Sequence, residues 1–161
     1  MATDEDFAAF NPRIASDNSG NMVAIWQENS ADTGLAKIFT SVLLSGGSWS
    51  TSAQLSPSGH DAKNPEIAMN TSGDAVAVWI RGDPTFGNGA LYASFLALGD
   101  SWTTPELISS STDDIAADFK LIMDSTGRIV IIWKSGNNFK IWIATAQFGG
   151  TWVSPLQLSN N

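Results

Sequence analysis

Few side chains in this 161-residue sequence could make or break a bond. Its single histidine, His60, would have to carry any Ser-His-Asp relay. It lies in the connection 57–63, and no nucleophile-elbow sequence is present. His60 therefore reads as an exposed loop residue. Asp113, Asp114 and Asp118 could act as paired glycosidase acids or hold calcium. They lack the alternating Asp/Asn spacing of an EF-type loop, and a solvated loop accounts for them. Cysteine is absent, which removes disulfides, thiolate metal sites and thiol catalysis. No catalytic residue, metal or cofactor is expected. Seven tryptophans offer a different chemistry, because an exposed aromatic face can stack on a sugar ring. What they do depends on the elements that hold them.

Six of those tryptophans belong to a repeat. The stretch from Pro12 to Trp26 is rewritten from Pro65 to Trp79 and again from Phe119 to Trp133. Gly20, Gly73 and Gly127 recur at steps of 53 and 54 residues, as do Trp26, Trp79 and Trp133. A second anchor follows each: Gly-Gly-Ser-Trp49, Gly-Asp-Ser-Trp102 and Gly-Gly-Thr-Trp152, with Ser56, Ser109 or Ser159 seven residues later. A period of this size means one supersecondary unit stacked on copies of itself.

Composition agrees with a packed β protein. Hydrophobic residues make up 43% and charged residues 15%, which excludes disorder. Eight Phe, seven Trp and fourteen Gly describe aromatic packing and frequent turns. The net charge of −8 and eight scattered basic residues leave no cationic patch, so neither nucleic acid nor an anionic membrane is an expected partner. Residues 1–10 carry Asp4, Glu5 and Asp6 and no apolar stretch of signal length, and no run approaches a membrane span. The compartment stays open: the cytoplasm, or a larger exported bacterial protein from which this chain is a piece.

The second repeat shows how one unit folds. Residues 66–70 alternate, residues 70–73 read as a turn, and 75–80 form a continuous apolar run too short for a helix. After a variable loop at 81–89, residues 91–98 and 102–109 read as a third and fourth strand. Four antiparallel strands with two apolar faces make a propeller blade, which must be covered on both sides. A sandwich would need alternation, which the runs 22–26, 75–80 and 129–133 lack. The expected fold is all-β, with a lead-in at 1–10 and blades at 11–63, 64–116 and 117–161.

The anchors Gly99, Trp102 and Pro105, with Gly149, Trp152 and Pro155, resemble the tail of the Asp-box of sialidase-like β-propellers. The Pro-x-Ile-Ala stretch leading to Gly and Trp is similar to the first two strands of blades in that group. The likeness spans residues 11–159. The Ser and Asp positions of the box hold Val42 and Leu44, Phe95 and Ala97, and Thr145 and Gln147, so the box is degenerate. A sialidase would also need an arginine cluster and a Tyr–Glu nucleophile pair. Arg13, Arg81 and Arg128 occupy different blade positions, and Tyr92, the only tyrosine, aligns with Phe39 and Trp142. Sialidase activity is not expected.

The resemblance implies six blades, and this sequence holds three. Two chains closing one ring through isologous or near-isologous contacts make the expected assembly, a homodimer. Trp26, Trp79 and Trp133 should lie between blades, and Trp49, Trp102 and Trp152 should plug the fourth strands, so core packing is expected of all six. Variable loops on one end of the ring are the place for recognition. Phe86, Asn88 and Phe139 are the expected contacts to a glycan or protein ligand. The function read from these features is a non-enzymatic binding or scaffolding module. The alternatives are a degenerate sialidase-like glycosidase with its site built across two chains, a lectin, or a propeller fragment with no ligand.

Overall fold

The computed structural model describes residues 8–30, 33–82, 89–109, 115–135 and 139–160. These residues form twelve strands and no helix. The first sheet holds β1 (Ala9–Ser16), β2 (Met22–Asn29), β3 (Ala36–Leu43) and β4 (Ala53–Gln54). The second holds β5 (Asp61–Met69), β6 (Ala75–Gly82), β7 (Gly89–Leu96) and β8 (Glu106–Leu107). The third holds β9 (Ile115–Met123), β10 (Arg128–Ser135), β11 (Ile141–Gln147) and β12 (Leu156–Gln157). Each sheet is an antiparallel meander in sequence order. Among the described residues no helix is long and apolar enough to cross a membrane.

One chemistry makes the first turn of every sheet. Asp17 Oδ1 accepts the backbone N–H groups of Ser19 and Asn21 at 2.8 and 2.9 Å. Asn70 Oδ1 accepts from Ser72 and Asp74 at 2.9 and 3.0 Å. Asp124 Oδ1 accepts from Thr126 and Arg128 at 2.8 and 3.0 Å. These are Asx turns, in which a short side chain stands in for a backbone carbonyl. The repeated glycine closes each with φ of 88°, 87° and 81°. That left-handed conformation costs other L-residues roughly 1–2 kcal/mol. At Gly73 a side chain also has no room, since an added Cβ would lie 3.0 Å from Asp17 Oδ2 of the neighbouring sheet.

The fourth strands are two residues long, not the run 102–109 expected from the sequence. Pro105 and Pro155 have no N–H to give a ladder in the second and third blades. Ser52 holds that position in the first, whose β4 is equally short, so the prolines alone do not set the length. The serine that ends each repeat makes good the loss. The N–H groups of Ile38, Leu91 and Ile141 donate to the hydroxyls of Ser56, Ser109 and Ser159 at 2.9, 2.9 and 3.0 Å. The N–H groups of Leu55, Ile108 and Leu158 donate back to the carbonyls of those same three residues. Each blade is clasped at its outer edge by this two-way bond.

The first strands are innermost. β1 lies against β5 and β5 against β9, while β4, β8 and β12 sit at the far edges of their sheets. The sheets therefore stand around a shared axis in a propeller-like order. Val23, Ile25 and Ile38 of the first blade pack with Ala75, Ala77 and Trp79 of the second. Val76, Val78 and Leu91 on the second blade's other face pack with Ile129, Ile131 and Trp133 of the third. The second strands were expected to be buried on both faces. Only β6 is, from Ala75 to Ile80; burial alternates along β2 and β10, because each outer blade has one covered face.

The two interfaces differ in filling. Between the second and third blades Phe95 meets Phe148 edge-on at 5.7 Å and Trp152 at 6.3 Å. Between the first and second, Val42 holds the repeat position of Phe95, and an apolar groove of about 450 Å³ opens among Val42, Met22, Leu96 and Leu98. Val42→Phe is expected to fill this groove and stabilise by ~0.5–2 kcal/mol. Phe95→Ala should cost ~3–5 kcal/mol at the filled interface. Chemical denaturation of both variants checks the pair, and equal destabilisation by both would refute the packing difference.

Candidate active site

Antiparallel alternation sends three kinds of backbone to one end of the axis: the starts of the inner strands, the connections between second and third strands, and the crossings between blades. At this end each inner strand carries a β-bulge. The register slips between Phe10 and Arg13 in β1, and between Lys63 and Glu66 in β5. In β9 the slip falls between Ile115 and Phe119. Bulges re-aim side chains and are common beside active sites.

The bulge residues are polar. Asn11 and Asn64 stand at φ 49° and 53°, a left-handed conformation that Asn tolerates better than most residues. Each precedes a proline, which keeps it out of the right-handed helical region. Asn11 Nδ2 donates to Asn64 Oδ1 at 3.3 Å, across two blades and 53 residues of sequence. The Asn64 N–H in turn meets Oε1 of the buried Gln27 at 3.3 Å.

Two residues further on, charge crosses the same gap. Arg13 Nε stands 3.2 Å from Glu66 Oε2, and an Arg13 guanidinium N–H donates to the Pro12 carbonyl at 3.0 Å. The repeat puts Asp118 where Asn11 and Asn64 stand, and Lys120 where Arg13 and Glu66 stand; both are exposed. Three inner strands thus offer Asn, Asn and Asp in one tier and Arg, Glu and Lys in the next. Beside them Asp61 Oδ1 accepts from the Ala36 N–H at 2.8 Å, and Asp61 Oδ2 pairs with Lys63 Nζ at 2.7 Å. Burial pushes the Asp61 carboxyl up, but Lys63 and the Ala36 N–H together outweigh it and hold it below its ordinary value. Such a set can bind hydroxyls through amides and hold an ionised carboxylate beside a cation.

The opposite end is different in kind. Asp17, Asn70 and Asp124 meet there around a shallow polar hollow, but their oxygens are committed to the turns. A side-chain bond from Asn21 lowers Asp17, and one from the Thr126 hydroxyl lowers Asp124. Among the described residues no three His, Cys, Asp or Glu side chains gather as a metal site.

Phe86 and Asn88 lie outside the described residues, as do Asp113 and Asp114. Phe139 is at the bulge end, largely exposed at φ 52°, with Lys134 Nζ 4.7 Å from its ring centre. His60 is half-buried beside Asp61. Arg13 is at the bulge end, Arg81 lies 5.0 Å from the Tyr92 ring, and Arg128 follows the Asx turn at the far end, so the arginines do not converge. Trp79 and Trp133 are buried; Trp102 and Trp152 pack at blade interfaces with their indole N–H buried. Trp26 is half-exposed against Phe39, and Trp49 is 45% exposed. The Asn11–Asn64 bond and the Arg13–Glu66 pair were not anticipated from the sequence. The signal available was Asn-Pro recurring at one repeat position.

No family model matches the sequence, and no curated protein does. Solved structures do match. One is a glycosyl hydrolase from Bacteroides ovatus, at TM-score 0.54 and 13% identity, covering 94% of this chain and 50% of that one. Another comes from work on the GH130 family of mannoside phosphorylases, described as containing glycoside hydrolases that target β-1,2 mannosidic linkages in Candida mannan. It matches at TM-score 0.52 and 13% identity, over 92% of this chain and 48% of that one. The fold is a propeller-like one shared with glycoside hydrolases. The chain spans about half the length of these structures. The expectation of a non-enzymatic binding or scaffolding module is corrected here. The solved structures that share this fold are glycoside hydrolases, which fits the glycosidase alternative better than a non-enzymatic module. Neither match is described as a sialidase, and the degenerate Asp-box marks a likeness of fold.

Asp124→Asn should leave the turn intact, since Asn70 already makes the same bonds. A carboxyl lowered on folding contributes stability at neutral pH that fades as pH falls below 3.8 toward the folded value. The variant should melt like the parent at neutral pH and lose less stability on acidification below pH 3.8. Thermal melts across that range check it; identical acid limbs would refute the assignment.

Proposed function

We propose that the chain acts on glycosides, through a site at the bulge end of the axis completed when two copies close a six-bladed ring. The observation that carries this reading is the meeting of Asn11 with Asn64 and of Arg13 with Glu66 on adjacent inner strands, in a fold shared with glycoside hydrolases. Cleavage of a glycosidic bond needs two carboxyl groups flanking the anomeric carbon, one to protonate the leaving oxygen and one to activate water or attack. Glu66 and Asp118 are carboxylates at this end on neighbouring inner strands, whereas Asp61 is engaged by Lys63 and the Ala36 N–H. Arg13 orients Glu66, and the amides of Asn11 and Asn64 bind sugar hydroxyls. Phe139, largely exposed at the same end, offers an aromatic face on which a sugar ring can stack.

The fold neighbours suggest β-mannosides, tested as hydrolysis and as phosphorolysis. Release of reducing sugar, or of sugar phosphate when inorganic phosphate is supplied, is the expected result from an oligosaccharide panel that includes β-1,2-linked mannosides. Glu66→Gln should lower kcat at least about 10²-fold with the fold intact by circular dichroism. Binding without turnover would move the protein to the lectin reading. Unchanged kcat in Glu66→Gln would remove that residue from the chemistry.

A further inference from the structure

The two uncovered faces of the chain are the two halves of an interface it already makes twice. In both internal interfaces the tryptophan face of one blade rests on the aliphatic face of the blade before it. Trp79 rests on Val23 and Ile25, and Trp133 on Val76 and Val78. Among the described residues nothing covers the tryptophan face of the first blade, and its Trp26 is half-exposed where Trp79 is 0% and Trp133 1% exposed. Ile14 is largely exposed on the same face, because it pairs with Ala24, two residues from Trp26. Nor does anything among the described residues cover the aliphatic face of the third blade. Its Ile132 is 39% exposed, whereas Ile25 and Val78 at that repeat position are both 0%. Ile122 and Leu156 lie exposed on this face, joined to it through Val130 and through Ile143 with Ile132.

We infer that the Trp26 face of the first blade docks head-to-tail on the Ile132 face of the third blade of a second copy, and the reverse. Two such seams close the ring. The inference rests on the reading that the axial site belongs to a closed ring, and it adds which surfaces meet. Each seam joins unlike faces, and the two-fold axis that relates the two seams makes the whole contact isologous, as expected from the sequence. The argument for a second copy as occupant is the repeat itself, because each open face bears the residue types its partner face covers inside the chain. Charge agrees: Lys120 and Lys134 border the aliphatic face, since Lys120 pairs with Ile132, and Glu28 borders the tryptophan face. Lys120 would approach Arg13 of a second copy, the one like-charge meeting. Both are exposed in the single chain, and a repulsion between two such surface cations does not outweigh burial of the two faces. Docking would also bring a second Arg13–Glu66 pair to the axis.

Light scattering coupled to size exclusion tests this on the full chain and on Ile14→Glu and Ile132→Glu, both at solvated positions of the single chain. The expected mass is twice the 17.1 kDa of one chain for the parent. Each variant alone should be a folded monomer. Mixing the two should restore a dimer with one sound seam. A dimer joined only through like faces, first blade on first blade or third on third, would respond to only one of the variants, which overturns the head-to-tail arrangement. A folded parent monomer, or a trimer, overturns the two-copy ring. None of these readouts depends on turnover, so failure of the glycosidase reading would be seen separately.

Discussion

A four-stranded sheet that is apolar on both sides cannot be stable alone, and that constraint governs the rest of this structure. The second blade meets it: every residue of β6 from Ala75 to Ile80 is buried, with Trp79 against the first blade and Val78 against the third. The outer blades meet it on one side only. Burial at the interfaces holds the three sheets at a common axis. Near-identity of the two interfaces is what makes them repeatable. Their difference, Phe95 against Val42, shows how far the pattern can slacken before a groove opens.

Turns and edges serve the same end by different means. Asx side chains form the hairpins at one end, and the terminal serines clasp the short outer strands at the periphery. Both devices satisfy backbone groups locally, which leaves the sheet faces free of polar demands. The polar residues that remain are concentrated at the bulges of the inner strands. There the backbone departs from regular pairing, and Asn11, Asn64, Arg13 and Glu66 meet across the gap between blades. A rigid apolar body with a polar axial end is a frame on which sugar chemistry can be built, and glycoside hydrolases share this fold.

Much of the architecture was legible because it is written in local chemistry. A Gly that must take positive φ, an Asx acceptor three residues before it and an unbroken apolar run after it each act within a few residues. The strands and hairpins follow from them without reference to the rest of the chain. Lengths were less legible. The outer strands pair over two residues in all three blades, whether Pro105, Pro155 or Ser52 stands before them, and the inner strands grew because a bulge lets pairing resume beyond it.

The tertiary structure alone decided which equivalent residues differ in fate. Trp26 and Trp79 stand at the same repeat position, yet one is half-exposed and the other buried, because burial depends on what lies next to a blade. The axial site was hidden for the same reason. Asn11 and Asn64, or Arg13 and Glu66, are one repeat period of 53 residues apart, which puts them at one position of adjacent blades, but only packing shows that their first strands are innermost and that these side chains meet. The sequence by itself determined the repeated unit, its turns and its two apolar faces, all through interactions within a few residues. Stacking determined which faces are covered and which polar groups meet, because those depend on distances between segments that only packing brings together.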